Sequence, residues 1–212
     1  MKKIIFIAVA IISMTNLIYA QDNETDFREQ FKFGLKIGAN YSNIYDSDGE
    51  EFKADGKFGL ATGAFLSIPI SKYLGIQPEI LISQKGFKAT GTILGSSYKI
   101  VRTTTYIDIP LYLAFKPSEF ITLLAGPEYS YLLKQKDSFK SSFLSYEQEQ
   151  DFSNGDYRKN TISFILGGDI NVKHVVLSAR VGWDIQKNMA DGSSTNPRYK
   201  NVWYQMTVGY RF

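Results

Sequence analysis

Cysteine is absent from the 212 residues. That excludes a disulfide framework, a thiolate nucleophile and a lipid-modified cysteine at a processed N-terminus. Histidine occurs once, as His174, so a Ser-His-Asp triad or a His-based metal centre has almost nothing to build on. A strong excess of positive charge is also missing. The formal +3 includes Lys2 and Lys3, and without the first twenty residues, which carry no acid, 22 bases face 21 acids. A near-neutral chain with no Lys/Arg-rich run gives no electrostatic footing for nucleic acid. The longest apolar run, Ile4 to Met14, falls short of the roughly 20 residues a membrane-crossing helix needs. If the chain lives in a membrane, it must cross as a closed barrel of strands.

What is present begins with that run. Lys2 and Lys3 precede IIFIAVAIISM, the segment turns polar, and Ala20 stands before Gln21-Asp22-Asn23. This pattern predicts a secretory signal peptide over residues 1–20, cleaved after Ala20, although Ile18 at the minus-three position is larger than such a site prefers. Residues 21–30 then read as a short polar leader without periodicity, and residues 31–212 as one barrel domain.

Composition favours strands and tight turns: 15% aromatic residues, 17 Gly and only 6 Pro. Eight segments alternate apolar with small or polar residues. They span Phe31 to Tyr41, Phe58 to Ile70, Leu74 to Phe87, about Ile100 to Lys116, Phe120 to Leu133, Thr161 to Val172, Val175 to Ile185 and Val202 to Phe212. Each is near the 9 to 11 residues a tilted strand needs to cross hydrocarbon, and eight is the smallest even number used by outer-membrane barrels. Pro78 is the weak point of the third segment, because a paired strand normally excludes proline.

The links alternate in length. Ser71 to Tyr73, Pro117 to Glu119 and Lys173-His174 are short, whereas Ser42 to Lys57, Lys88 to about Lys99, Lys134 to Asn160 and Gln186 to Asn201 are long and polar. Short periplasmic turns and long outer loops produce this alternation in an outer-membrane barrel, with both chain ends on the periplasmic side. The fold expected is an all-β, eight-stranded, antiparallel, up-and-down transmembrane barrel. A soluble lipocalin-like barrel is disfavoured, since its outer face would be polar rather than rich in Ile, Leu, Phe and Tyr.

Lys or Arg on the lipid face costs on the order of 2 to 4 kcal/mol near the midplane, so the charged set must point inward. An interior network is expected from Lys36, Glu79, Lys85, Asp108, Glu128, Asp169, Arg180, Asp184 and Arg211. An eight-stranded interior is just wide enough for side chains to fill. Glycines 34, 38, 59, 63, 126, 167, 182 and 209 share that face and make room for the long charged residues. The network reads as a satisfied polar core, with a proton or ion path as the alternative.

Other chemistry is sparse. Asp46-Ser47-Asp48-Gly49-Glu50-Glu51 resembles the start of a calcium loop, but its Gly comes at the fourth position rather than the sixth, and a solvated acidic loop is the expectation. No catalytic residue, metal ligand or cofactor-binding residue is expected, and no cofactor.

The closing segment, VWYQMTVGYRF, resembles the last strand and C-terminal assembly signal of bacterial outer-membrane barrels, with Tyr210 and Phe212 as the signal residues. Ile76 to Gly86 (IQPEILISQKG), Tyr106 to Leu111 (YIDIPL) and Ala125 to Tyr129 (AGPEY) resemble the recurring motifs of the PorT-like outer-membrane β-barrel family common in Bacteroidota. The resemblance accounts for Pro78 and Pro110, and implies a bacterial outer-membrane location.

The expected function is that of a structural or interaction scaffold with a plugged polar interior, acting through its long outer loops. Phe139, Phe143, Tyr146, Phe152 and Tyr157 give the longest loop an aromatic contact surface. The alternative is a narrow channel for ions or small solutes; an outer-membrane enzyme, a lipid-binding barrel or a secretion-associated component follows. The expected partners are outer-membrane lipid, the barrel-assembly machinery and a surface protein or glycan, with no nucleic acid and a monomeric chain.

Overall fold

The computed structural model describes residues 26–45, 53–93, 96–141, 145–150, 158–188 and 199–212. The signal segment, the acidic loop and the loop aromatics Phe143, Phe152 and Tyr157 lie outside them.

Nine strands occur among the described residues: β1 (Lys32–Tyr45), β2 (Lys53–Pro69), β3 (Leu74–Ile93), β4 (Ser96–Phe115), β5 (Ile121–Ser141), β6 (Ser145–Gln150), β7 (Asn160–Val172), β8 (Val175–Asp184) and β9 (Lys200–Arg211). All pairings are antiparallel, in the order β4-β3-β2-β1-β9-β8-β7-β5-β6. A further β4–β5 pairing closes the ring. Eight strands therefore form a closed up-and-down barrel, and β6 lies outside the ring on the upper part of β5. Closure leaves the ring without a free edge.

The short-turn end is tightly made. The β2–β3 turn is held by Ile70 and Ser71 N–H donating to the Leu74 carbonyl. The β7–β8 turn consists of Lys173 and His174, with Val172 opposite Val175 and Lys173 at φ 52°. That left-handed conformation is uncommon outside glycine and belongs to the tight hairpin turns.

The opposite end differs from the expectation of four long loops. The link read as a loop from Lys88 to about Lys99 is strand, and only residues 94 and 95 separate β3 from β4 in the strand assignment. The link read as Lys134 to Asn160 contains the end of β5 and all of β6. β3, β4 and β5 thus reach 20, 20 and 21 residues, while β8 has 10. At about 3.3 Å per residue and a tilt near 40°, a strand of this length climbs roughly 50 Å. That climb exceeds a hydrocarbon core of about 30 Å by roughly 20 Å, so β3, β4 and β5 stand well above it on one side.

Prolines explain where the ladder opens. Pro78 faces Leu111, and pairing resumes only at Leu81 opposite Asp108. Pro110 faces Glu128, and pairing resumes at Leu113 opposite Ala125. A residue without an N–H is tolerated at such interruptions. Gly86 has φ 143°, open to glycine alone, and Ser42 Oγ both accepts from its N–H and donates to its carbonyl at 2.9 Å.

Alternation sorts the two faces. Leu35, Ile37, Ile80, Ile82, Leu111, Leu113 and Val208 are exposed on the outside, whereas Lys36, Lys85, Asp108, Glu128, Arg180 and Asp184 are buried inside. Aromatic rings gather toward both ends. Phe33 stacks on Phe212 at 4.8 Å and Tyr210 meets Phe212 at 5.0 Å; at the other end Tyr41 pairs with both Phe58 and Tyr204.

Candidate functional site: the lumen and its two mouths

The lumen holds two ionic clusters separated by an apolar layer. In the first, Lys36 Nζ donates to Glu79 Oε1 and Oε2 at 2.7 and 2.6 Å. Gln77 Nε2 joins Glu79 to Asp169, at 2.9 and 3.2 Å. Arg180 Nη2 lies 2.7 Å from Asp169 Oδ1 and 3.6 Å from Glu79 Oε1. Neither Arg180 Nη2 nor Asp169 Oδ1 makes an aligned hydrogen bond, so that contact is ionic, while Nη1 donates to the Gly168 and Ala179 carbonyls. Two bases thus meet two acids.

The second cluster is unbalanced. Lys85 Nζ lies 2.9 Å from Glu128 Oε1 and 3.1 Å from Asp108 Oδ2. Ser130 Oγ donates to Asp108 Oδ1 at 2.6 Å, with Glu128 Oε1 at 3.1 Å. Asp184, further along, accepts from Ser163 Oγ and from the backbone and side chain of Asn201 at 2.6 to 2.9 Å. One ammonium therefore serves several buried carboxylates, and neutral donors supply the rest.

Tyr112, Ala114, Leu124, Ile165 and Trp203 form one buried apolar group that touches both clusters. Arg180 lies over the Tyr112 ring at 5.2 Å, and Lys85 Nζ over the Trp203 ring at 3.6 Å. Gly182 leaves the space the indole occupies, since a Cβ there would collide with the Trp203 ring.

Arg211 does not join either cluster. It sits at the short-turn mouth, where Nε donates to the Lys173 carbonyl at 2.8 Å and Nη1 to Asn171 Oδ1 at 3.1 Å. Its strand ends there, so its side chain reaches turn carbonyls before it reaches a carboxylate. Residues 27–29 of the leader form a 3-10 turn at the same mouth. Lys116 Nζ donates to the Arg28 carbonyl at 3.1 Å, and Asp26 pairs with Arg28 and, at 3.1 Å, with Lys72. Hydrogen bonds from Arg28 hold the Asp26 carboxyl well below the usual carboxylate range.

At the long-loop end the structure places a pair that the strand periodicity had not singled out. Arg102 Nε and Nη2 donate to Asp137 Oδ1 and Oδ2 at 2.9 and 2.7 Å, a bidentate contact. Phe87 and Tyr199 pack edge to face beside it, 5.2 Å between centroids. On the outer wall, a concavity of about 830 Å³ is lined by apolar residues including Leu35, Ile37, Ile80, Ile82 and Val208. It faces outward and does not belong to the lumen. Among the described residues, no group of three His, Cys, Asp or Glu is placed to hold a metal ion.

A closed antiparallel ring with Ile, Leu and Val outside and ion pairs within defines a membrane-spanning β-barrel. Residues 19–188 match the family described as outer membrane protein beta-barrel domain. The chain belongs to that family, and its location is the bacterial outer membrane. No curated protein matches the sequence. Among solved structures it is similar to Ail, the attachment invasion locus protein of Yersinia pestis, at 16% identity and a TM-score of 0.51, covering 86% of this chain and 99% of that one. Neisserial surface protein A is similar at 11% identity and a TM-score of 0.49, over 85% and 97% of the two chains. OprG of Pseudomonas aeruginosa is similar at 14% identity and 0.42, over 87% and 97%. These likenesses concern the fold. In an outer-membrane barrel, short turns face the periplasm and long loops face outward, which makes the Arg211 mouth periplasmic and the Arg102 mouth extracellular.

Proposed function

We propose that this protein is a non-enzymatic interaction scaffold, in which a plugged barrel carries a raised extracellular sheet to a partner on the outer surface. The observation that carries this reading is the length of β3, β4 and β5 beyond what spanning requires. β6 adds a further strand to the sheet, along Gln135 to Lys140 of β5. A raised sheet ending in a short strand offers backbone N–H and C=O groups for strand addition by a partner chain. The lumen supports the same reading: two ionic clusters and the Tyr112–Trp203 layer fill the space that a solute would need.

The motifs Ile76 to Gly86, Tyr106 to Leu111 and Ala125 to Tyr129 support a finer assignment to the PorT-like branch. Tyr210 and Phe212, on the outer rim of the closing strand, suit recognition by the barrel-assembly machinery during biogenesis. Outer-membrane lipid covers the apolar wall, and a monomer satisfies every strand edge of the ring. The partner we assign is a surface protein or glycan.

Two measurements test the scaffold reading. Folded protein in a planar bilayer is expected to be electrically silent; reproducible unitary steps that vanish on substitution of Arg180 or Glu128 would favour a channel and overturn it. In nanodiscs, replacing residues 142–157 by a short turn is expected to abolish binding to a panel of surface proteins and glycans. Unchanged binding by the trimmed protein would remove β6 and its flanking residues from the contact surface.

A further inference from the structure

We infer that the periplasmic mouth holds a binding site for one small, halide-sized anion, built from Lys32, Lys116 and Arg211 and covered by the leader turn at Phe27. The three bases line one cleft of about 20 Å³ together with Arg28, Ser67, Asn171 and Glu119. A single water needs roughly 10 to 15 Å³ measured this way, so the cleft has room for one small species.

Charge and burial identify that species. Lys32 is only 9% exposed, yet among the described residues its ammonium has no hydrogen bond or ion pair, and it lies over the Phe27 ring at 4.3 Å. An ammonium carries three donors that need acceptors, and a buried charge without a partner is costly. Lys116 gives two of its donors to neutral oxygens, the Arg28 carbonyl and Ser67 Oγ. Among the described residues the Arg211 side chain likewise donates only to the Lys173 carbonyl and Asn171 Oδ1. The charges of Lys116 and Arg211 both oppose that of Lys32.

The acids at the cleft do not neutralise this set. Asp169 is engaged by Arg180, Asp26 by Arg28 and Lys72, and Glu119 makes no ion pair within 4 Å among the described residues. Even with Glu119 counted, three bases leave an excess of two positive charges. A small anion among the three would accept the free Lys32 donors and reduce the repulsion. Lys32, Ser67, Gln77 and Asn171 face the lumen, and all but Ser67 are buried there, so a lipid phosphate outside the wall does not reach this position. Phe27 closes the site from the periplasm, and anion binding holds the leader turn to the barrel through Lys32 and Lys116.

Bromide is the probe. Crystals of the refolded full chain grown in sodium bromide are expected to show an anomalous peak among Lys32, Lys116 and Arg211; ordered water in that position without such a peak overturns the site. In detergent, bromide replacing gluconate at constant sodium is expected to raise the unfolding temperature saturably. Lys32→Met is expected to weaken that bromide dependence roughly tenfold or more, the loss of about one charge-assisted contact. Lys88→Met, on the far half of the barrel, is expected to keep it. Equal bromide dependence in wild type and Lys32→Met overturns the proposal. If Lys32→Met does not fold, Lys116→Gln takes its place, and the wild-type crystals still decide.

Discussion

Lys85→Met is expected to destabilise the barrel by about 3 to 5 kcal/mol, the range for removing one partner of a buried ion pair. The substitution nearly preserves volume, so a cavity contributes little. What it removes is the ammonium held between Glu128 Oε1 and Asp108 Oδ2 and stacked on Trp203. Both carboxylates stay buried, at 2% and 1% exposure, and Ser130 has only one hydroxyl proton to offer them. The measurement is the urea midpoint for folding into lipid vesicles, followed by the heat-dependent shift of the barrel on gels. The control is the triple variant with Asp108→Asn and Glu128→Gln, which removes the orphaned charges and is expected to recover most of the loss. A midpoint for Lys85→Met equal to wild type would show that the ammonium is not what holds these carboxylates in the wall.

Much of this barrel was legible in the sequence because a barrel crossing a membrane obeys two simple constraints. Period two assigns each residue to a face, and the cost of charge in lipid chooses which face is inside. These constraints place Lys36, Glu79, Lys85, Asp108, Glu128, Asp169, Arg180 and Asp184 on the inner wall, where the structure has them. They do not give the pairing. Lys36 meets Glu79 and Lys85 meets Glu128 across strand neighbours that depend on stagger around the ring, and a single sequence does not state the stagger. Nor do they place Arg211, which belongs to the inner face but lies too close to its strand end to reach an acid.

Above the membrane the period fails for a specific reason. β5 changes register between Thr105 opposite Lys134 and Tyr106 opposite Leu132, so Leu133 is an extra residue on its strand. Such a bulge reverses which parity faces inward. Ser130 and Leu132 point inward below it, and Gln135 above it. Read with a fixed period, Asp137 falls on the outer face, and Arg102 loses its partner. The polar stretch from Lys134 onward then looks like a loop, although its backbone continues as strand to Ser141. Lipid no longer polices the outer face there, so polar residues occupy both faces and alternation carries no signal. For the same reason the Lys88 to Lys99 region reads as a loop while it forms a hairpin.

Glycine on the inner face also carries two meanings that sequence alone cannot separate. At Gly182 a Cβ would strike only the Trp203 ring, which fits a glycine that makes room for a large inward side chain. At Gly38 it would strike the Met206 carbonyl oxygen and lie 2.6 Å from the Thr207 Cα. The obstacle there is backbone, and it is the backbone of β9 at the seam where first and last strands close the ring. Gly38→Ala is therefore expected to destabilise the barrel by about 3 kcal/mol, the upper end for overpacking, outweighing the roughly 0.5 to 1 kcal/mol that alanine returns in a strand interior. Gly168→Ala is the matched control, because its Cβ meets nothing nearer than the Thr122 carbonyl at 3.3 Å, and its stability is expected to change little. Folding yield into vesicles and the urea midpoint read both variants. If Gly38→Ala folds as well as Gly168→Ala, the β1–β9 seam has slack, and close strand approach at Gly38 is not what closes the ring.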